Sequence, residues 1–129
     1  MGRQWHRLKR RSDFLSIAAN GARRATPAFV LQARALPEAD GAAPILRIGF
    51  TASRKVGNAV ARNRAKRRLR ALCDRVLGDR MAPGRALSGW DLVVIARDQA
   101  VSRDFAAMTA EFEQAFGRVT APGSQRGRS

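Results

Sequence analysis

Residues 47–70 read RIGFTASRKVGNAVARNRAKRRLR, and their pattern predicts most of a strand, a loop and most of a long helix. The apolar residues from Ile45 to Ala52, which overlap the start of this stretch, predict a strand. A loop over 53–57 follows, and Asn58 is a favourable N-cap for a helix that ends near Leu77. A strand that leads directly into a helix indicates a fold of mixed α and β elements.

The same stretch carries nine Arg or Lys residues, and no acid occurs between Asp40 and Asp74. The chain of 129 residues has a formal net charge of +15 and a pI of about 11.9. Such a charge repels itself unless a polyanion lies against it, and phosphate is the usual counter-charge. Nucleic acid is therefore the favoured partner. An anionic membrane surface ranks lower, because no segment is apolar enough to span a bilayer and no lipidation motif occurs.

The predicted long helix has two different faces. At about 100° per residue, its apolar side chains fall on one stripe that should be buried. This stripe consists of Ala61, Ala65, Leu69, Leu72 and Val76. The opposite side carries Asn63, Lys66, Arg67 and Arg70, with Arg62 and Arg64 flanking it. Surface helices usually mix charges so that oppositely charged neighbours pair, and the lack of acids here favours a nucleic-acid interface over a solvated face.

The N-terminal half predicts a helix and a further strand. Ser12 is a favourable N-cap for a helix through Asn20, and Ala28–Leu36 has the composition of a strand. Only a Pro- and Gly-rich loop separates this strand from Ile45–Ala52. Two strands joined by a short loop suggest an antiparallel pair.

The C-terminal half predicts a strand and a last helix. Trp90–Arg97 is almost continuously apolar, which is typical of a central strand covered on both faces. Ser102 is a candidate N-cap for the last helix. That helix carries four large apolar side chains on one side, namely Phe105, Met108, Phe112 and Phe116.

This order of elements predicts an α+β fold, a two-layer sandwich in which a small mixed sheet packs against helices. Three regions are expected along the chain. Residues 1–11 form a basic arm, residues 12–117 form a single α+β domain that binds nucleic acid, and residues 118–129 form a disordered tail rich in Gly, Ser and Arg.

The sequence offers little for a protein active site. The single histidine, His6, lies in the basic arm, and the acids are scattered rather than clustered as a two-metal site requires. No phosphate-binding glycine motif occurs. Cys73 is the one cysteine and lies on the apolar side of the long helix, so we expect a buried thiol and no disulfide. No signal peptide is recognisable, and we expect a cytoplasmic protein.

The motif Arg62-Asn63-Arg64, with the basic residues after it and SRKVGNAV before it, closely resembles the signature of the bacterial ribonuclease P protein family. The likeness extends to Arg7-Leu8-Lys9, to Arg47–Phe50 and to Asp91–Arg97, and it covers most of residues 7–117. It implies an α+β sandwich with a left-handed βαβ crossover, although such crossovers are normally right-handed.

The resemblance also implies a function and partners. The family's protein is the small subunit of a ribonucleoprotein endonuclease that removes the 5′ leader of precursor tRNA. Its expected partners are the catalytic RNA subunit, with one protein per RNA, and precursor tRNA. Phosphodiester hydrolysis is expected to use magnesium ions (Mg2+) held by the RNA subunit, with no catalytic or metal-binding residue on the protein.

Two binding surfaces carry over from the resemblance. The surface for the RNA subunit consists of Arg62, Asn63, Arg64, Lys66, Arg67 and Arg70. The surface for the single-stranded leader is a cleft between the sheet and the first helix, formed by Phe14, Ala18, Val30, Gln32, Thr51 and Lys55, with Asn63, Arg67 and Arg70 at its edge. Family members usually carry an aromatic residue at the positions of Ala18 and Gln32, and each stacked ring contributes about 1–3 kcal/mol to base binding.

Two other classes of protein fit the composition. One is a ribosomal or RNA-chaperone protein that binds structured RNA without a link to cleavage. The other is a self-sufficient nuclease, which the scattered acids and the single histidine disfavour.

Overall fold

The computed structural model describes residues 6–35, 46–77 and 90–120, and within them the chain forms five strands and three α-helices. In chain order these are β1 (His6–Arg7), α1 (Arg11–Asn20), β2 (Ala22–Ala25), β3 (Phe29–Ala35), β4 (Leu46–Ala52), α2 (Ala59–Leu77), β5 (Trp90–Ala96) and α3 (Phe105–Val119). Short 3₁₀ helices at Arg54–Val56 and Asp98–Val101 precede α2 and α3. The predicted α+β fold with a small mixed sheet is confirmed.

The five strands form one sheet in the order β1-β4-β5-β3-β2. Strand β5 lies at the centre, parallel to β4 and antiparallel to β3. This central position confirms the prediction from its nearly continuous apolar run, which is typical of a strand covered on both faces. The connection from β4 through α2 to β5 is a parallel crossover, and the left-handedness implied for it stays a prediction.

The predicted antiparallel pairing of β3 with β4 is wrong. Strand β5 lies between them, and it pairs over all seven of its residues with each neighbour, from Phe29↔Ala96 to Ala35↔Trp90 on one side and from Leu46↔Trp90 to Ala52↔Ala96 on the other. A hairpin prediction weighs chain proximity alone, whereas the sheet places β5, the most apolar of the three strands, between the other two.

Side chains alternate across the sheet and divide the core into two clusters. The larger cluster lies under α2 and α3, where Leu31, Ile48, Leu92 and Phe112 are completely buried. The smaller cluster lies under α1 and contains Leu8, Ile17 and Val93, with Phe14 and Ile95 packed against it. Helix α1 therefore covers one face of the sheet, and α2 and α3 cover the other.

The helix ends differ from prediction at two of three N-termini. Asn58 caps α2 as predicted, since its Oδ1 accepts a hydrogen bond from the Ala61 N–H at 2.9 Å. Helix α3 is capped by Asp104, whose carboxylate accepts from the Ala107 N–H, rather than by Ser102. Helix α1 begins one residue before Ser12, which lies inside its first turn, while Gly21 ends it by donating to the Ile17 carbonyl.

The folded domain reaches further at both ends than the predicted range 12–117. Strand β1 pairs with β4, and Leu8 is buried and donates its N–H to the Ile48 carbonyl at 2.9 Å. At the other end α3 continues to Val119, which is 2% exposed. The first five residues of the predicted arm, the last nine of the predicted tail and the predicted Pro- and Gly-rich loop between the first two long strands lie outside the described residues.

Candidate nucleic-acid interface

Helix α2 follows β4 through a tightly turned segment. Ser53 Oγ accepts a hydrogen bond from the Lys55 N–H at the start of the 3₁₀ helix. Gly57 then adopts a φ of 143°, a conformation that L side chains rarely adopt, before Asn58 caps α2. The direction of α2 is thus set by hydrogen bonds close to its N-terminus.

The predicted two-faced character of α2 is confirmed. Ala65, Leu69, Leu72 and Val76 are buried against β4, β5 and α3. Of the predicted stripe, only Ala61 stays half-buried. On the outer side, three residues of the predicted RNA-subunit surface are exposed and three are half-buried. The exposed ones are Asn63, Arg64 and Arg67, and the half-buried ones are Arg62, Lys66 and Arg70.

Four of these cations have no carboxylate partner in the described part of the chain, namely Arg62, Arg64, Lys66 and Arg67. The ion pairs recorded there instead join Arg34 and Arg47 to Asp91, Arg47 to Asp13, and Arg103 to Glu111. The positive charge of the outer face of α2 therefore remains available to an external anion.

Two of the arginines are held by backbone carbonyl groups. Arg62 Nη1 donates to the Gly57 carbonyl at 3.1 Å, and Arg64 Nε donates to the Val101 carbonyl at 3.0 Å. The Arg64 bond fixes one edge of the guanidinium and leaves both terminal nitrogens for other acceptors. This arrangement preorganises the side chain for bidentate contact with a phosphate.

Arg68 has a different role from its basic neighbours. Its guanidinium donates to the Ala100 carbonyl at 2.8 Å and to the Arg103 carbonyl at 2.5 Å. These carbonyl groups belong to the 3₁₀ helix Asp98–Val101 and to the turn before α3. Arg68 therefore joins α2 to the segment that leads into α3, a role that its place in a basic run did not reveal.

The face of the sheet covered by α1, hereafter the α1 face, contains three rows of side chains across β3, β5 and β4. By register these rows are Arg34–Asp91–Arg47, Gln32–Val93–Gly49 and Val30–Ile95–Thr51. The Phe14 ring lies over Gly49, where any Cβ would overlap it. The third row is less covered, since Ile95 and Thr51 are half-buried.

The structure brings together part of the predicted leader surface. Phe14, Val30, Gln32 and Thr51 share the α1 face. Ala18 is an exposed residue of α1, and Lys55 is exposed in the turn between β4 and α2. Asn63, Arg67 and Arg70 belong to α2, which packs on the opposite face. The segment from Thr51 to Lys55 connects the α1 face to α2 along the chain.

The first row of the α1 face is a buried ionic network that sequence reasoning missed. Asp91 is completely buried and accepts hydrogen bonds from Arg47 Nε and Nη2 at 2.7 Å each and from Arg34 Nη2 at 2.8 Å. The hydrogen bonds to Asp91 raise the pKa of Arg47 above its ordinary value. Arg34 also donates to Ser16 Oγ, and Arg47 lies 3.7 Å from Asp13, so the network links the sheet to α1.

A sequence signal for this network existed. Arg34, Arg47 and Asp91 are charged residues inside three strands that are otherwise mostly apolar. Buried charges require partners, so opposite charges in neighbouring strands predict a pair once the strand order is known. The strand order could not be inferred, because the pairing of β3 with β4 was expected instead.

Groups that could bind a metal or act as a nucleophile are sparse. Within the described ranges, no group of three or more His, Cys, Asp or Glu side chains is arranged to hold a metal ion. Cys73 is completely buried, and burial raises the pKa of its thiol. In the same part of the chain, no helix is both long and apolar enough to cross a bilayer.

Comparison with known proteins gives consistent similarities. The family model described as Ribonuclease P matches residues 3–120. A ribonuclease P protein component of Paramagnetospirillum magneticum is 41% identical over 121 residues, which is 94% of this chain and 87% of that protein. One of Gluconacetobacter diazotrophicus is 42% identical over 120 residues, or 93% of this chain and 96% of that protein.

Solved structures agree with these relatives. The RNase P protein of Thermotoga maritima superposes with a TM-score of 0.69 and 28% identity, covering 90% of this chain and 99% of that one. The RNase P protein of Staphylococcus aureus gives a TM-score of 0.66 and 26% identity, covering 90% and 98%.

Proposed function

Since the chain belongs to the ribonuclease P protein component family, we propose that it is the protein subunit of a ribonucleoprotein that removes the 5′ leader of precursor tRNA. The observation that carries this proposal is the outer face of α2. There Arg62, Arg64, Lys66 and Arg67 have no carboxylate partner in the described residues. Family membership indicates an RNA partner, and the cations without carboxylate partners indicate the surface that binds it.

Helix α2 docks against the catalytic RNA subunit. Its cations neutralise phosphates and release the counterions condensed on the RNA, which gives affinity that depends on salt. Arg64 is already fixed by the Val101 carbonyl, so little side-chain entropy is lost when its terminal nitrogens meet a phosphate. Asn63 lies between two arginines and can hydrogen-bond a sugar or a base edge.

The single-stranded leader lies along the α1 face. Phe14 supplies a ring for base stacking, and Val30 and Thr51 form the less covered end of the surface. Lys55, exposed in the turn after β4, continues this surface toward α2. With alanine at position 18 and glutamine at position 32, Phe14 is the main aromatic contact that the predicted leader surface offers.

The protein contributes binding and positioning, and the RNA subunit carries the catalytic groups. Magnesium ions (Mg2+) held by the RNA supply the metal-assisted hydrolysis of the phosphodiester bond. Cations placed between two RNA strands reduce their repulsion, so both the affinity for precursor tRNA and the occupancy of the RNA-bound magnesium sites increase. One protein binds each RNA, and the particle acts in the cytoplasm.

A reconstitution experiment tests this function. Purified protein is added to precursor tRNA at limiting magnesium, with and without the cognate RNA subunit, and the 5′ ends of the products are mapped. Cleavage at the mature 5′ end that requires both components supports the proposal. Cleavage by the protein alone would identify a self-sufficient nuclease, and RNA binding without any effect on cleavage would identify an RNA chaperone or ribosomal protein.

A further inference from the structure

Two large hydrophobic side chains are exposed in the described part of the chain, and Val60 is the more exposed of them. It is 76% exposed, compared with 58% for Leu15. A single exposed hydrophobic residue is ordinary in a soluble protein. The position of Val60 on α2, however, distinguishes it from Leu15, which lies on α1.

Val60 lies in the first turn of α2, at the N-terminal end of its cationic face. Residues three, four and seven positions after it are Asn63, Arg64 and Arg67, all exposed. Residues at these spacings share one side of a helix. The buried residues Ala65, Leu69 and Leu72 lie on the opposite side. Val60 is therefore an apolar side chain with guanidinium groups and an amide as its neighbours along the helix.

The fold does not account for a valine at this position. β-Branched residues lose rotamer freedom in helices and are poorer helix formers than alanine. The exposed side chain gains no burial in return, and the cap of α2 is formed by Asn58 through the backbone N–H of Ala61. A residue that is unfavourable for the helix and unpacked in the protein is explained if it packs in a complex.

Resting on the function proposed above, we infer that Val60 is an apolar contact to the RNA subunit, against which an unstacked base or a ribose packs. Charge complementarity selects RNA as the occupant, because Arg64 and Arg67 bring phosphates to the same face. Unpaired bases of RNA loops and bulges expose the apolar faces that such a side chain can cover. Val60 thus adds an interaction that is independent of salt to a surface dominated by charge.

The test is Val60→Ser in the full chain, measured as affinity for the RNA subunit alone across a series of salt concentrations. Loss of the apolar contact should raise the Kd by roughly tenfold at each salt concentration. The slope of log K against log salt should stay the same, because no phosphate contact is removed. The melting temperature should also be unchanged, since the side chain is exposed.

Two further variants separate the outcomes. Leu15→Ser, the matched control on α1, should leave affinity for the RNA subunit unchanged, and Arg67→Ala should weaken binding and reduce the salt slope. If Val60→Ser binds like the unaltered protein while Arg67→Ala is impaired, the inference is overturned and the proposed function stands. If neither variant is impaired, the docking of α2 itself is wrong. An effect seen only with leader-bearing precursor tRNA would also overturn the inference.

Discussion

At the residue scale, adjacent cations of one helix have different roles. Arg67 is exposed and lacks an acidic partner in the described residues, whereas Arg68 donates to two carbonyl groups of a neighbouring segment. Both belong to the same basic run, so composition treats them alike. Their surroundings make one a candidate RNA contact and the other a structural link.

Alanine substitution should separate these two roles. Arg68→Ala leaves the Ala100 and Arg103 carbonyl groups without their charged donor, so the free energy of unfolding should fall by about 2 kcal/mol. Arg67→Ala should change stability by less than about 0.5 kcal/mol. In RNA binding, Arg67→Ala should reduce the salt slope by about one and Arg68→Ala should not. Urea denaturation and titrations at several salt concentrations measure both effects, and the reverse pattern would refute the assignment.

Cys73 should make the stability depend on pH. Burial raises the pKa of its thiol in the folded state, so that above about pH 8.5 the unfolded chain loses a proton that the folded chain keeps. Below that pH, the protonated Cys73 thiol makes its full contribution to stability. Above that pH, the free energy of unfolding falls by up to about 1.4 kcal/mol per pH unit.

The matched variant is Cys73→Ala, which should flatten this dependence between about pH 8.5 and 9.5. The chain contains no tyrosine, so few other groups titrate in that window. Denaturation curves at closely spaced pH values measure the slope. Equal slopes for the two proteins would show that the thiol ionises in the folded state as well.

At the element scale, α1 is held to the sheet by the network around Asp91 and by the contact of Phe14 with Gly49. Asp91→Asn should reduce the free energy of unfolding by about 3 kcal/mol, because Arg34 and Arg47 would lose the carboxylate that neutralises them. Thermal denaturation measures the loss. Glu111→Gln, which breaks the more exposed pair with Arg103, serves as the control and should cost much less.

The contact of Phe14 with Gly49 gives a separate prediction for the leader surface. Gly49→Ala would force the Phe14 ring away from the sheet. We expect weaker binding of leader-bearing precursor tRNA and little change for leaderless tRNA or for the RNA subunit. Affinities for the three RNAs, measured side by side, test this selectivity.

Gly117→Ala provides the matched control for Gly49→Ala. Apart from the adjoining backbone of α3 itself, no atom lies within 4 Å of the position where a Cβ on Gly117 would be built. Alanine at this exposed position of α3 should be neutral or stabilising by up to about 1 kcal/mol. A uniform loss of affinity for all three RNAs in Gly49→Ala, together with a lower melting temperature, would indicate a core role for Phe14 instead.

At the scale of the whole molecule, a net charge of +15 is the dominant property. If the protein neutralises several phosphates, affinity for RNA should fall by about a hundredfold or more between 50 and 200 mM salt. Titrations with the RNA subunit at constant magnesium measure this dependence. Affinity that is flat across this range would contradict an electrostatic interface.

The sequence by itself determined the elements whose pattern is local. Helix α2, its Asn58 cap, its buried stripe and its cationic face all follow from residues within a few turns of one another, because helix periodicity and capping are short-range effects. The apolar run of β5 likewise indicated a central strand. The RNA surface was predicted from the same local motif and a family resemblance.

The tertiary structure alone decided which strands are neighbours, and through them which charges meet. Asp91 pairs with Arg34 and Arg47 because β5 lies between β3 and β4, an order that depends on burial summed over the whole sheet rather than on any short segment. Arg68 binds carbonyl groups more than thirty positions later in the chain for the same reason. Contacts between distant segments form where the folded core brings them together, and no local pattern records them.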